Sequence, residues 1–166
     1  MNIAKQIVGY LKSRSLVLAS IETGTAGAIG AMLADQRGAR GCLDLVSVAH
    51  SEAALATLAG VSAQTIEHNG LVSVAIAREA AEGALARSAG RASVALASIG
   101  WLANEEDEPG AVVTHCLAWA CIEDGRVHSA GETLSFSGRR SEIRRSIARR
   151  ALLGLPRYVD SVLTRD

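Results

Sequence analysis

Short apolar runs rich in β-branched residues alternate along this chain with segments whose apolar residues recur every three or four positions, and that alternation dictates a layered α/β fold. Leu16 to Ile21, Leu43 to Ala49 and Val94 to Ile99 read as strands, each followed or preceded by a helical pattern. Ile3, Ile7, Val8 and Leu11 give an amphipathic opening helix over residues 3 to 12. The turn Glu22-Thr23-Gly24-Thr25 leads into an Ala-rich helix ending near Gln36, with Thr25 as the expected N-cap. Ser51 caps a helix running to Leu58 before Gly60, and Ser73 caps one over residues 73 to 88.

The remaining third adds antiparallel structure. Val112 to Ile122 and Val127 to Phe136 are joined by Glu123-Asp124-Gly125-Arg126, the signature of a hairpin. A basic helix is predicted from about Ser141 to Leu153, stopped by Gly154 and Pro156, with a last short helix over 157 to 164. The expected whole is a three-layer α/β/α sandwich on a mixed sheet, a single domain over residues 1–166. Only 3% of the 166 residues are aromatic, so small aliphatic side chains must fill the core and helices must approach the sheet closely.

Charge narrows the partners. Seventeen basic residues balance seventeen acidic ones, so the chain as a whole has no field to gather nucleic acid or an anionic membrane, and any basic site must be local. Cys42, Cys116 and Cys121 have neither metal-ligand nor disulfide-framework spacing and read as reduced thiols. The apolar stretch from Leu16 to Leu33 is broken by Glu22, and Val94 to Ala103 is far short of the ~20 residues a spanning helix needs. A cytoplasmic protein without metal or cofactor is the expectation. The acidic loop Glu105 to Gly110 reads as a solvated turn, and His68, His115, His128, Trp101 and Trp119 as packing residues.

Four segments in order carry a resemblance. Leu18-Ala19-Ser20-Ile21-Glu22-Thr23-Gly24-Thr25-Ala26-Gly27 is similar to L-A-x-A-E-S-C-T-G-G. Gly38-Ala39 through Val48-Ala49-His50-Ser51 to Leu58-Ala59-Gly60-Val61 looks like P-G-x-S through V-x-Y-S-N-x-x-K-x-x-L-L-G-V. Gly70-Leu71-Val72-Ser73 and the helix after it match G-A-V-S-x-x-V-A-x-x-M-A-x-G-A, and Phe136 to Arg144 matches F-x-G-D-R-x-x-V-R. Together they resemble the CinA C-terminal domain family, the nicotinamide-nucleotide amidases. The resemblance also implies homo-oligomers, and it suggests a stand-alone form of a domain that often follows a larger one.

What the resemblance implies for chemistry is altered here. The implied serine nucleophile corresponds to Thr23, the implied tyrosine to His50 and the implied lysine to Leu55, which cannot accept a proton. His50 is the substitute base in an amidase reading, with Thr23 as nucleophile. Glu22, Gly24, Thr25, Gly27, Ser51 and Gly100 are the matching ligand-binding positions, and the family's second glycine pair and its T-G-I-A-G-P become Leu45-Val46 and Ile99 to Asn104. Arg140 and Arg144, one helical turn apart, fall where a nucleotide phosphate is held, or else belong to a solvated arginine-rich helix face. Two readings follow: an amidase acting on nicotinamide mononucleotide, or a non-catalytic binder of a small phosphorylated ligand or of a protein partner.

Overall fold

The computed structural model describes residues 2–102 and 112–163. The acidic loop lies outside the described residues. A five-stranded sheet in the order β2-β1-β3-β4-β5 is built from β1 (Leu18–Glu22), β2 (Leu43–Val48), β3 (Val94–Ile99), β4 (Val113–Glu123) and β5 (Arg126–Phe136). The first three strands are parallel, and β4 and β5 extend the sheet as an antiparallel hairpin. Helices α1 (Ile3–Ser13), α2 (Ala28–Ala34) and α6 (Arg140–Leu163) cover one face, and α3 (Glu52–Ala59), α4 (Ala63–Asn69) and α5 (Val74–Arg87) lie on the other side. The expected mixed-sheet sandwich is therefore the fold. No helix among the described residues is long and apolar enough to cross a membrane.

Strand alternation divides the core in two. Leu18, Val94, Leu96, Leu117 and Trp119 face α1, α2 and α6, whereas Ala95, Ala97, Ala118 and Ala120 face α5. The latter meet Ala77, Ala80, Ala81 and Ala84, so the α5 layer is alanine on alanine. Gly83 carries the same logic to α3: a Cβ there would lie 1.8 Å from the carbonyl oxygen of Ala59. The scarcity of aromatic side chains is matched by this close approach.

Two readings of the sequence need correction. Helix α4 was not expected; its segment has no buried residue and no apolar repeat. It is held by Glu79 instead, whose carboxylate accepts from the Ser62 amide at 3.0 Å and from the Thr65 hydroxyl. The two helices expected around Gly154 and Pro156 are one, α6, with Pro156 inside it. Proline lacks the N–H for one helical bond and crowds the carbonyl four residues earlier, but burial of Leu152, Leu155, Val159 and Val162 keeps the helix on the sheet. The α6 segment is also tied to β4 by the Trp119 indole, which donates to the Ala151 carbonyl at 3.0 Å. Tyr10 and Arg14 of the α1 region bind Asp160 at 2.7 and 3.1 Å.

Gly154 permits that contact, because a Cβ there would come within 2.2 Å of the Trp119 ring. Gly154→Ala is expected to destabilise the fold by about 1–3 kcal/mol through overpacking, although alanine is the better helix former. Urea unfolding of the two proteins checks this, with equal midpoints as the contrary result.

Candidate functional site at the carboxyl ends of the parallel strands

In a sheet whose parallel strands run in the order 2-1-3, ligands bind in the crevice outside the carboxyl ends of β1 and β3, where the strand order reverses. That crevice is stitched together. The Thr23 amide donates to the Ser98 carbonyl at 3.0 Å, and the Gly24 amide to the Gly100 carbonyl at 2.9 Å. The Thr23 hydroxyl is fully buried, 2.9 Å from the Gly100 carbonyl it donates to and 2.9 Å from the Gly100 amide it accepts from. Gly24 is required by this closeness, since a Cβ would sit 2.4 Å from the Gly100 oxygen. The hydroxyl expected to attack a substrate is thus engaged as donor and acceptor between two backbone groups.

Glu22 is fully buried at the end of β1. Its carboxylate accepts from the amides of Ile29 and Gly30, both at 3.1 Å, and from the Thr25 hydroxyl at 2.6 Å. It does the capping expected of Thr25, whose side chain makes no cap bond; the N-cap of α2 is Gly27, in the left-handed region at φ 91°. Helix N-termini attract anions, and at α2 the anion is the protein's own. Ala26 precedes it at φ 53°, a conformation that costs an alanine about 1–2 kcal/mol.

A buried chain of polar groups continues inward. The Thr25 hydroxyl lies 3.2 Å from that of Ser98, and Ser98 Oγ lies 2.7 Å from His115 Nε2. Because Thr25 donates to the carboxylate, it accepts from Ser98, which in turn accepts from an Nε2–H of His115. Burial pushes His115 down to about 4, so the ring is neutral at pH 7. Its Nδ1 is buried without a hydrogen-bond partner among the described residues. Gly100, at φ 145°, passes so near that a Cβ would meet Nδ1 at 2.5 Å. Ser98 and His115 were not read as a pair from the sequence. The available signal was a serine in an otherwise apolar buried strand, diagonally across the ladder from a histidine.

The other expected site residues border this region. His50 is exposed beyond β2, and the Trp101 indole reaches from the end of β3 to donate to its carbonyl at 3.0 Å, the rings meeting edge-on at 6.3 Å. Since β1 runs between β2 and β3, Trp101 spans the exit of β1. Ser51 accepts from the Ala54 amide at 3.1 Å as the N-cap of α3. Helix α6 starts at the same end of the sheet, because Phe136 pairs with Val113 and β4 begins beside the end of β3. Arg140 is exposed in its first turn. Arg144 is half-buried on the side of the helix that faces the core, and its Nε is enclosed with no hydrogen-bond partner among the described residues.

The family model of the CinA C-terminal domain matches residues 1–159. The chain belongs to that family. It is 30% identical over 154 residues to a CinA-like protein of Akkermansia muciniphila, covering 93% of this chain and 36% of that one. With a CinA-like protein of Chlorobaculum tepidum the identity is 33% over 150 residues, covering 90% and 35%. The chain thus spans about a third of the length of these curated relatives. Among solved structures, a CinA superfamily protein of Escherichia coli aligns with a TM-score of 0.75 at 25% identity, covering 91% of this chain and 85% of that one. The competence/damage inducible protein CihA of Agrobacterium tumefaciens aligns at 0.70 and 28%, covering 90% and 89%.

Against the CinA pattern, Leu55 is fully buried in the core between the sheet and α5. Val46, in place of one glycine of the family's pair, packs onto α2 where a Cβ on Gly30 would come within 2.3 Å of it. Leu45 joins the core on the other face. The matching positions are filled by packing atoms.

Two outcomes are expected. The folded His115 titrates below its free value of 6.5, so folding excludes a proton that the unfolded chain binds between pH 6.5 and about 4, and stability falls as the pH drops through that window. The loss is on the order of 3 kcal/mol. Denaturation across that range should show a shallower acid decline for His115→Gln, and equal slopes would exclude the role. Ala26→Gly should raise stability by about 1 kcal/mol by relieving the left-handed alanine, read as an upward shift in the urea midpoint.

Proposed function

We propose that this CinA-family domain binds a small phosphorylated ligand at the carboxyl end of its parallel strands without hydrolysing it. The observation that carries this reading is the Thr23 hydroxyl, buried and bonded on both sides to Gly100. Hydroxyl nucleophiles need an accessible oxygen, a base within hydrogen-bond reach and donors for the oxyanion. Here the bonding partners of Thr23 Oγ1 are the Ser98 and Gly100 backbone rather than His50. Leu55 stands where the resemblance calls for the lysine, so no amine takes the proton at that position. Attack on an amide would require Thr23 to abandon the bonds that join β1 to β3.

Binding is supported by Arg144. It is half-buried in the first turns of α6, which begins at the strand-end face, and guanidinium geometry suits phosphate. Arg140 opens the same helix. A nucleoside monophosphate such as nicotinamide mononucleotide is the ligand class that the resemblance brings to these positions.

The test is ammonia release from nicotinamide mononucleotide alongside calorimetric titration of the same compound. Wild-type protein is expected to release none and Arg144→Met to weaken binding roughly 10- to 100-fold, the range for a charge-assisted hydrogen bond. Thr23→Ala should lower stability by about 1–3 kcal/mol, because it strands the Gly100 amide, whereas the Gly100 carbonyl keeps the Gly24 amide. Turnover by the wild type that vanishes in Thr23→Ala at unchanged fold would replace this reading with a threonine amidase using His50. Absence of both turnover and binding would remove this ligand class.

A further inference from the structure

Although formal charges balance over the chain, they do not balance across the sandwich. Residues 2–14, 28–41 and 139–163, which form α1, α2, α6 and their flanking turns, carry twelve of the seventeen lysines and arginines against Asp35, Glu142 and Asp160. Within that basic layer a cleft of about 410 Å³ opens between α1 and the end of α2. It is lined by Lys5, Val8, Gly9, Lys12, Gln36 and Arg37, with no carboxylate among them. Among the described residues neither Lys5, Lys12 nor Arg37 takes part in an ion pair.

Lys5, Gly9 and Lys12 follow one another at four and three residues along α1, so they share one face of the helix. Gly9 has nothing within 4 Å of where a Cβ would stand. Glycine weakens a helix interior, and no neighbour in the fold calls for it here. Its effect is to leave the floor of the cleft open between the Lys5 and Lys12 positions of the helix. The rim is closed by the Asn2 amide, which donates to Gln36 Oε1 at 3.4 Å, and Lys12 arches over Gly38, whose missing side chain leaves it room.

We infer that this cleft is an anion site for a small molecule bearing consecutive phosphates, separate from the strand-end site and independent of its assignment. Three unpaired cations around an open floor complement a compact, multiply charged anion. A single phosphate brings about two negative charges to three cations, whereas a di- or triphosphate neutralises all three.

Inorganic triphosphate titrated calorimetrically at low salt is the first probe, with a single-stranded oligonucleotide in a parallel arm to distinguish a free oligophosphate from a nucleic-acid backbone. Triphosphate should bind the wild type and lose at least tenfold in affinity with the Lys5→Gln/Arg37→Gln double variant. Gly9→Leu should remove binding while raising the melting temperature, since it fills the floor with a better helix former and separates a blocked site from a damaged fold. Arg145→Gln/Arg149→Gln, on α6, should bind as the wild type does. The inference is overturned if triphosphate does not bind, if Gly9→Leu binds it unchanged, or if the α6 variant loses as much as the cleft variant. Binding of the oligonucleotide alone also overturns it.

Discussion

The buried carboxylate of Glu22 is the constraint on which the carboxyl end of the sheet depends. A charge with no solvent contact is tolerated only when its oxygens are satisfied, and the donors come from the first turn of α2 and from Thr25. Those bonds fix where α2 starts and how the chain leaves β1, and they set the direction of the hydrogen bonds through Thr25 and Ser98 to His115. With the turn so placed, Thr23 and Gly24 fall against Gly100 and close the crevice. The site is therefore organised from the inside, by a carboxylate that the sequence presents as one acidic residue in an apolar run.

How far the sequence discloses this depends on what each signal encodes. The parallel strands, α5 and the β4–β5 hairpin are legible because burial on a sheet face and helical repetition leave a local pattern. Helix α4 leaves only its caps, Ser62 and Gly70, since Ile66 packing on the core and the Glu79 carboxylate from α5 hold it in place. Pro156 is read as a stop because its local effect is unfavourable, and only the burial of Leu155, Val159 and Val162 against α1 and the sheet reverses that. Tertiary packing overrides local propensity at both places.

At the site the same divide recurs. Positions 22 to 27 can be singled out from their order of residue types, and so can Leu55 as a residue that cannot move a proton. Neither observation discloses that Thr23 is turned inward, because one threonine in a turn has the same sequence whether its hydroxyl meets a ligand or Gly100. Thr25 illustrates the point: it has the composition of an N-cap, yet Glu22 reaches the helix amides first. Net charge hides its distribution likewise, since a neutral total is compatible with the segregation of cations onto one helical layer.

The replacements at the strand ends act in one direction. Where the resemblance implies groups that contact a ligand or move a proton, this chain has Leu55 in a core, Val46 against Gly30, and a threonine hydroxyl joined to the neighbouring strand. Active sites ordinarily hold groups that would be better satisfied elsewhere, and relieving that tension stabilises the fold at the expense of chemistry. Ala26 runs against the trend: it brings left-handed strain to the place of a family glycine without adding a contact that accounts for it. Arg144 does too, because a half-buried guanidinium with an unpartnered Nε is a cost that packing alone would have removed. Of these two, only Arg144 carries a charge that a bound anion would meet, and the proposed phosphate site rests on it rather than on Ala26.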